Sequence, residues 1–353
     1  MILRPYMQFM AEKDASDLYV SGGAIPQARV AGKVVQVGSE VMPPARVAEA
    51  AGELMGDRER ALFKEHWDVD FSVRADKLGR FRVNVFRQRG QVAMVLRHVP
   101  PEIKSIRELH LPEVLEELAM ARQGLLLMAG PTGSGKSTTL SAMIGHRNEQ
   151  ATGHILTIED PIEFFHTNKR SIVNQRELGV DAHSFEAALR SALRESPDVV
   201  MIGEARDRDT MSAALELAGT GHLSMATLHA NNASQALDRV ASMFPGDMQE
   251  QMHLDLADYL LAIISQRLVM TEDGSRVPAV EVMINTPFIA DLITKGHFDR
   301  LKSAMEESKL RGMRDMDSAL HDLVKQGIIS KDEALANAES RSNLEAKINF
   351  ASN

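Results

Sequence analysis

The stretch that decides the fold is Gly130-Pro131-Thr132-Gly133-Ser134-Gly135-Lys136-Ser137-Thr138, which has the spacing G-x-x-x-x-G-K-S. The apolar residues 125–129 precede it and predict a buried strand, and residues 139–144 predict the opening of a helix. A glycine-rich loop between a strand and a helix wraps its N–H groups round a phosphate at the positive helix N-terminus. We therefore predict an ATP site in which these nine residues contact the nucleotide. Lys136 reaches the β- and γ-phosphates, and Ser137 ligates Mg²⁺.

The composition is that of a globular protein. A length of 353 residues suggests about two domains, and the content of 44% hydrophobic and 25% charged residues is ordinary. The absence of cysteine excludes disulfides and a cysteine-based zinc site. A net charge of −9 argues against broad nucleic-acid binding but leaves a local basic channel open. The pattern predicts neither a secretory signal nor a membrane span.

Residues 1–97 have the pattern of a small α+β domain. Apolar and polar residues alternate at 70–74, 80–85 and 92–97, which predicts antiparallel strands. Residues 98–106 contain two prolines and predict a linker. The strands carry the arginines Arg80, Arg82, Arg87, Arg89 and Arg97. Composition favours a solvated strand face for them; the alternative is that some face a phosphate across a domain or subunit boundary.

Residues 107–286 alternate apolar strands with helices, which predicts a largely parallel sheet and an α/β fold class. The predicted strands are 125–129, 154–158, 171–174, 199–202 and 223–227. The predicted helices include 136–147, 184–194, 207–220, 233–243 and 249–268. Residues 287–353 predict a helical C-terminal region, in which Ser330 and Glu333 have the spacing of a capping box.

Hydrolysis of a phosphoanhydride also needs a metal ligand, a group that orients water and a cation. In an α/β nucleotide domain these groups lie at the carboxyl ends of strands. The strand end after residue 158 carries Glu159, Asp160 and Glu163. Glu163 is a candidate for orienting the attacking water, and Asp160 or Glu159 for holding Mg²⁺. The alternative is an acidic turn capped by Pro161.

Two more strand ends carry such groups. The strand 199–202 runs into Gly203 and Glu204, a Walker B pattern with glycine where many P-loop proteins have the metal-holding aspartate. Glu204 is therefore the candidate acid of this strand, and the metal role is shared with residues 159–163. His222 precedes the strand 223–227 and His229 follows it, and either is a candidate for sensing the γ-phosphate.

Three further arginines stand near these motifs. Arg190 and Arg194 are one helical turn apart and are predicted to share a helix face. Arg267 follows Ser265 and Gln266. The residues alone favour ordinary surface ion pairs for all three arginines.

Taken together, four motifs resemble the secretion ATPases of type II secretion and type IV pili. They are the 130–138 loop, Thr-Ile-Glu-Asp-Pro-Ile-Glu at 157–163, Gly-Glu-Ala-Arg-Asp at 203–207, and Gly-Thr-Gly-His at 219–222 with Thr-Leu-His at 227–229. In that family they are the Walker A, Asp-box, Walker B and His-box motifs. The resemblance runs essentially from end to end. It implies a PAS-like first domain, a RecA-like ATPase domain and a homo-hexameric ring.

The resemblance also assigns roles to residues. It implies that Lys136, Glu163, Glu204 and His229 are catalytic, with Glu163 as the Asp-box glutamate and Glu204 as the Walker B acid. His222 and His229 become the His-box pair, with His229 near the γ-phosphate. Five arginines are implied to reach the nucleotide or a neighbouring subunit: Arg82, Arg97, Arg190, Arg194 and Arg267.

The short N-terminal domain and the lack of cysteine resemble the retraction ATPases of the PilT/PilU family rather than extension ATPases. Residues 288–295, Phe-Ile-Ala-Asp-Leu-Ile-Thr-Lys, lack two arginines that the principal retraction ATPase carries there. Together with residues 303–308 and 311–313 they resemble the accessory, PilU type. The resemblance implies a motor at the cytoplasmic face of the inner membrane. Its implied partners are the principal retraction ATPase and a pilus platform protein.

Three alternatives stay open. A pilus-extension or type II secretion motor is disfavoured by the missing N-terminal extension and cysteines. A mainly non-enzymatic adaptor of the principal motor is disfavoured by the intact Lys136, Glu163 and Glu204. A DNA-dependent RecA-type motor is disfavoured by the acidic net charge.

Overall fold

A computed structural model describes residues 1–30, 32–76, 78–99, 103–308 and 310–351. The chain divides into two units, Met1–Glu102 and Ile103–Asn353, and the division falls inside the predicted linker 98–106. Both ends of that stretch are structured, because a strand of the first unit runs to Val99 and Ile106 is buried in the second. Pro100, Pro101 and Glu102, at the centre of the predicted linker, lie outside the described residues.

Unit 1 (Met1–Glu102) is built on a six-stranded antiparallel sheet with the strand order β3-β2-β1-β6-β5-β4. Its elements are α1 (Arg4–Glu12), β1 (Ala15–Ser21), β2 (Gln27–Val30), β3 (Lys33–Gln36), α2 (Pro44–Leu54), α3 (Asp57–His66), β4 (Asp68–Ala75), β5 (Gly79–Gln88) and β6 (Gln91–Val99). Proline lies in the first turn of both α1 and α2, where its missing N–H costs nothing. The predicted antiparallel α+β unit is confirmed.

Strand β5 shows how the sheet of unit 1 is layered. Phe81, Val83 and Val85 are fully buried and pack with side chains of α1 and α2. The residues between them, including Arg82 and Asn84, are partly exposed, because successive strand residues point to opposite faces. One face of this sheet is therefore apolar core, and the other presents polar and charged groups.

Unit 2 (Ile103–Asn353) is built on a seven-stranded sheet with the order β13-β12-β7-β11-β10-β8-β9. Its elements up to the last strand are α4 (Val114–Ala119), β7 (Gly124–Ala129), α5 (Lys136–Gln150), β8 (Gly153–Glu159), β9 (Ser171–Glu177), α6 (Phe185–Ala192), β10 (Val199–Ile202), α7 (Arg208–Gly219), β11 (Leu223–Leu228), α8 (Ala233–Met243), α9 (Gln249–Tyr259), β12 (Leu260–Met270) and β13 (Arg276–Ile284). Neighbouring strands are parallel except β13, which runs antiparallel to β12. Helices cover both faces, so every residue of β7 is buried. The five predicted strands and the α/β class are confirmed.

The predicted helix 249–268 is wrong in its second half. Helix α9 ends at Tyr259, and residues Leu260–Met270 form β12, which pairs with β7 and β13. The apolar residues 260–264 show no periodicity that would distinguish a buried strand from a buried helix. Only their pairing in the sheet identifies them as a strand. Strand β13 was not among the predicted strands either.

The C-terminal region is helical, as predicted. Its elements are α10 (Pro287–Thr294), α11 (Leu301–Glu307), α12 (Met316–Lys325), α13 (Lys331–Asn337) and α14 (Arg341–Ala351). Ser330 caps α13 by accepting from the Glu333 N–H at 3.1 Å, which is half of the predicted capping box. The Glu333 carboxylate instead accepts from the Met270 N–H at 2.9 Å and joins the tail to β12. Among the described helices, none combines the length and apolarity that a bilayer crossing requires.

Candidate nucleotide site

The loop between β7 and α5 has backbone conformations that require glycine. Gly133 and Gly135 lie in the left-handed region, at φ +78° and +87°. A Cβ on Gly130 would lie 2.6 Å from the Gln266 carbonyl oxygen and against the Ser134 hydroxyl. Helix α5 begins without a side-chain cap, whereas Ser184, Asp207 and Asn232 cap α6, α7 and α8. The first N–H groups of α5 are thus left for another acceptor.

Two side chains of this loop fit a bound phosphate. The Ser134 hydroxyl is buried and has no hydrogen-bond partner within the part of the chain that the structure describes. The Lys136 ammonium donates to the carbonyls of Gly130 (2.8 Å) and Pro131 (3.0 Å). Burial lowers the pKa of Lys136, and the nearby Glu204 and Glu163 carboxylates oppose that shift. The loop therefore forms an anion site. It combines the unpaired Ser134 hydroxyl, a backbone at Gly130 with no room for a Cβ, and the half-buried Lys136 ammonium.

The loop borders a cavity of about 280 Å³ in unit 2. Its other walls come from the carboxyl ends of β8, β10 and β11, which meet at one edge of the sheet. The lining residues are Thr132, Gly133, Lys136, Ser137, Leu140, Ser141, Glu159, Asp160, Pro161, Glu163, Phe185, Met201, Gly203, Glu204, Arg206, Thr227 and His229. The three predicted strand ends are therefore brought together with the phosphate loop.

Glu204 is held in this cavity by two side chains. Its carboxylate lies 3.1 Å from His229 Nε2 and accepts from Arg206 at 2.7 Å. Burial opposes its ionisation, but the hydrogen bond from Arg206 and the charges of His229, Arg206 and Lys136 outweigh burial and lower the pKa of Glu204. Glu204 is therefore ionised at neutral pH and held by two partners.

The acids after β8 differ in exposure. Glu159 is buried and accepts from the Thr157 hydroxyl at 2.7 Å and from the Gln175 amide at 3.1 Å. Burial raises the pKa of Glu159, with those hydrogen bonds opposing it. Asp160 and Glu163 are exposed in the cavity. The predicted acidic cluster thus separates into one acid anchored in the sheet and two that face the cavity.

Oxygen atoms of Ser137, Glu159, Asp160 and Glu204 surround this cavity and are of the type that Mg²⁺ prefers. Within the described ranges, no group of three or more histidine, cysteine or acidic side chains is arranged to hold a metal by itself. Magnesium at nucleotide sites takes one or two protein ligands and completes its shell with phosphates and water. The donor set fits a metal that enters with a nucleotide.

Two residues that support the backbone of the site were not predicted from the sequence. Gln266 of β12 is buried, donates to the Ser134 carbonyl at 2.7 Å and accepts from the Thr139 hydroxyl at 2.7 Å. It therefore ties the phosphate loop to α5. Thr227 donates to the Gly203 carbonyl at 2.5 Å. The signal for Gln266 was a polar pair, Ser265-Gln266, inside an otherwise apolar run.

Close packing also explains the glycine of the Walker B strand. A Cβ on Gly203 would lie 3.2 Å from both the Glu159 Cα and the Ile158 carbonyl oxygen. The Gly203 N–H donates to that carbonyl at 2.7 Å. The backbones of β8 and β10 therefore approach closely here, and a side chain at this position would have to push them apart by a few tenths of an ångström.

The structure separates the two histidines of the His-box. His229 lines the cavity at the carboxyl end of β11, and His222 precedes the amino end of the same strand. At about 3.3 Å per residue the strand places them roughly 20 Å apart. The His222 ring lies 3.1 Å from both the Leu217 carbonyl oxygen and the Thr220 hydroxyl. Of the two histidines, a single copy of the chain thus brings only His229 to its phosphate loop.

None of the three predicted unit 2 arginines lines the cavity. Arg190 is exposed and pairs with Glu186 at 2.6 Å. Helix α6 ends at Ala192, two residues before the predicted end, so Arg194 lies just beyond the helix that carries Arg190. Arg267 donates to the Asn337 carbonyl at 2.5 Å and turns towards the C-terminal tail.

The predicted arginines of unit 1 lie on the polar face of its sheet. Arg82 pairs with Asp70, and Arg97 pairs with Asp17 at 3.0 Å. Their side chains are 39% and 65% exposed. Together with Asn84 they line a cleft of about 280 Å³ within unit 1. These arginines are therefore ion-paired groups on a solvated strand face.

This fold and site define a P-loop nucleotide-binding protein with an α/β nucleotide domain. A family model described as "Type II/IV secretion system protein" matches residues 69–300. The chain is 46% identical to the type IV pilus ATPase PilU of Pseudomonas aeruginosa over 98% of this chain and 91% of that protein. It is 40% identical to the retraction ATPase PilT of the same organism, over 94% of this chain and 97% of PilT.

A solved structure of the pilus retraction motor PilT with bound ADP superposes with a TM-score of 0.91 at 40% identity. The match covers 98% of this chain and 99% of that chain. The chain belongs to the type II/IV secretion system protein family, in its branch of type IV pilus ATPases.

Proposed function

We propose that this chain is an ATP-hydrolysing motor that drives or assists type IV pilus retraction, the process behind twitching motility. The observation that carries the proposal is the cavity that joins the phosphate loop to Glu163, Glu204 and His229. Similarity to PilU and PilT over nearly the whole chain supports the same conclusion. An ATP site alone would fit many proteins; the acids facing it and the family relationship narrow the reaction to hydrolysis.

The phosphate loop and the acidic residues of the cavity have different roles in hydrolysis. Residues Gly130 to Thr138 cradle the phosphates, and the Lys136 ammonium neutralises their charge. Ser137 and Glu204, with Asp160 or Glu159, would hold Mg²⁺, which supplies further charge neutralisation when it is bound.

Glu163 is the better candidate for orienting the water. Glu204 is already held by Arg206 and His229, whereas Glu163 is exposed in the cavity. His229, which lies 3.1 Å from the Glu204 carboxylate, is placed to respond to the γ-phosphate. We assign Glu163 as the water-orienting residue.

The finer architecture follows from family resemblance. We propose a PAS-like identity for unit 1, a RecA-like identity for unit 2 and a homo-hexameric ring. In that ring Arg82, Arg97, Arg190, Arg194, Arg267 and His222 reach the nucleotide or a neighbouring subunit. The exposure of Arg190 and its partner Glu186 supports this, because an exposed ion pair is weak and exchanges easily for a phosphate, and the Arg97 side chain is itself 65% exposed.

We further propose the accessory, PilU type. The higher identity to PilU than to PilT supports it, as do residues 288–295, which lack the two arginines of the principal motor. The proposed partners are the principal retraction ATPase and an inner-membrane platform protein. The proposed location is the cytoplasmic face of the inner membrane.

Steady-state ATP hydrolysis by the purified chain tests the enzymatic claim. We expect the Lys136→Ala and Glu163→Gln variants to lose activity by at least about 100-fold, a loss typical of groups that act on the transition state. Glu345→Gln, which alters an exposed ion pair with Lys331, is the matched control and is expected to keep the wild-type rate. A wild-type chain with no more activity than the Lys136→Ala and Glu163→Gln variants, all at the background rate, would favour a non-enzymatic adaptor.

A strain in which the gene is deleted tests whether the motor retracts or extends pili. Loss of twitching with pili retained or in excess supports retraction, whereas loss of pili supports an extension motor. Complementation with the Glu163→Gln variant then separates hydrolysis from an adaptor role, because an adaptor restores motility without activity. Stimulation of the ATPase by DNA would instead favour a DNA-dependent motor.

A further inference from the structure

The loop that carries His229 is short. Strand β11 ends at Leu228, His229 points into the nucleotide cavity, and α8 is capped by Asn232. Only Ala230 and Asn231 separate the histidine from that cap. The position of the His229 ring therefore depends on how firmly residues 230–232 are held.

Three side chains from distant parts of unit 2 hold this loop. Glu281 of β13 accepts from the Ala233 N–H at 2.7 Å, and Arg267 of β12 donates to the Asn231 carbonyl at 3.4 Å. Glu339, between α13 and α14, accepts from the Asn232 side-chain amide at 2.6 Å. The Asn232 side chain thus has two roles, because its oxygen caps α8 through the Gln235 N–H while its nitrogen binds Glu339.

Glu339 is itself fixed in place. Its backbone N–H donates to Asp317 at 2.8 Å, and its carboxylate accepts from Lys302 at 3.2 Å. Lys302 also pairs with Asp317 at 2.8 Å. The side chains of Glu339 and Asp317 are only 11% and 7% exposed, so water screens this network little. The helical tail thus holds a largely buried carboxylate against the cap of α8.

We propose that Glu339 is a positioning residue for ATP hydrolysis, acting through Asn232 on the loop that carries His229. The inference rests on the function proposed above. Glu339 touches no reacting atom; it sets where His229 and its partner Glu204 stand when the nucleotide is bound. The helical tail, which carries no catalytic motif, is thereby linked to the site.

The chain offers variants that isolate this contact. Asn232→Ser keeps an oxygen for capping α8 but removes the amide that binds Glu339. Glu339→Ala removes the acceptor, and Glu339→Gln keeps one acceptor oxygen and serves as the conservative rescue. Glu345→Gln in α14 is the control, because Glu345 pairs with Lys331 on the surface. Thermal unfolding of each variant reports its stability.

We expect Asn232→Ser and Glu339→Ala each to lower kcat about tenfold while KM for ATP changes less than about twofold. The double variant is expected to be no slower than Glu339→Ala alone, since both substitutions remove the contact between Asn232 and Glu339. Glu339→Gln should keep most of the activity. Additive losses, an equal loss in Glu345→Gln or a wild-type kcat in Asn232→Ser would each overturn the proposal. If Glu339→Ala does not fold, the kcat and KM of Asn232→Ser alone decide between these outcomes.

Hydrogen exchange separates this inference from the proposed function. Peptides that cover residues 229–240 are expected to exchange faster in Glu339→Ala or Asn232→Ser than in the wild type or the Glu345→Gln control. Unchanged exchange overturns the link, whatever the activity. A wild-type chain that hydrolyses no ATP overturns the proposed function, while faster exchange in the same variants still upholds the contact between tail and loop.

Discussion

The two units each hold a charged cavity of about 280 Å³, built in different ways. In unit 2 the charged groups project from loops at the ends of parallel strands, and glycines and a buried Gln266 set the backbone beneath them. In unit 1, Arg82 and Arg97 project from antiparallel strands. Arg82 pairs with the partly exposed Asp70, and Arg97 pairs with Asp17, whose side chain is only 10% exposed. The first cavity is therefore shaped by backbone, and the second by ion pairs between side chains.

The largest effect is expected where backbone shapes the site. Gly130→Ala places a Cβ 2.6 Å from the Gln266 carbonyl oxygen and against the Ser134 hydroxyl, so the loop must move. We expect ATP hydrolysis to fall by at least about 100-fold, since small displacements of binding groups have effects of that size. Steady-state kinetics measures the loss.

The matched control lies in unit 1. Gly52 is in helix α2, and a Cβ added there would meet no other described atom within 4 Å. Gly52→Ala is therefore expected to stabilise the chain by roughly 1 kcal/mol, the difference in helix propensity between the two residues. Its ATPase rate should stay at the wild-type value. A Gly130→Ala variant with normal activity would show that the loop is not shaped by close packing.

The second prediction concerns a buried acid of unit 2. Burial raises the pKa of Glu281 to about 7, and Glu339 adds to the shift, while the Ala233 and Ser265 donors oppose it. Folding then favours the protonated form, so the folded state loses stability as pH rises from about 4.5 to about 7. The loss is on the order of 3 kcal/mol, at 1.36 kcal/mol for each pKa unit.

Glu281→Gln is expected to remove this dependence. The amide keeps an acceptor for the Ala233 N–H, so the variant and the wild type should be equally stable near pH 4.5. Near pH 8 the variant should be the more stable, by the amount that the wild type has lost. Denaturant unfolding at both pH values measures the difference, and a variant that is less stable at pH 8 would contradict the assigned shift.

The part of the site that was predictable is the part encoded in short stretches of chain. The phosphate loop, the acids at 159–163 and Glu204 each follow a strand directly, and parallel pairing brings their ends to one edge. His222 shows the limit of this reasoning, because a residue ahead of a parallel strand lies at the other edge. Whether a residue precedes or follows a parallel strand therefore decides whether it lies near the phosphate loop, and its closeness in sequence to that strand does not.

What could not be predicted depends on contacts between distant residues. Strand β12 was predicted as helix, because an apolar run has the same appearance in both structures. Gln266 became visible as support for the phosphate loop only once β12 lay beside β7. The same holds for Glu339, which meets Asn232 across 107 residues of sequence.

The third prediction tests Gln266. Gln266→Ala leaves the Ser134 carbonyl and the Thr139 hydroxyl without their partner, which costs about 1–3 kcal/mol for a buried group. We expect an unfolding free energy lower by that amount and a kcat/KM for ATP about tenfold lower. Gln249→Ala is the control, because that half-buried glutamine binds carbonyls of Ala241 and Phe244 away from the loop. Equal losses in both variants would mean that Gln266 has no special role.

The smallest effect on stability is expected in unit 1. The Arg97 side chain is 65% exposed, and Asp17, although only 10% exposed, keeps the Ser16 hydroxyl at 2.8 Å and Arg29 at 3.7 Å as partners. Arg97→Ala should therefore lower the unfolding free energy by less than about 1 kcal/mol. If Arg97 serves the nucleotide, the same variant lowers the ATPase rate of the full chain while its unfolding curve stays in place. Arg29→Ala is the matched control, because Arg29 also pairs with Asp17, at 3.7 Å. A loss of stability above about 2 kcal/mol in Arg97→Ala would mean that the pair holds unit 1 together, and an arginine held in that way is not available to a phosphate.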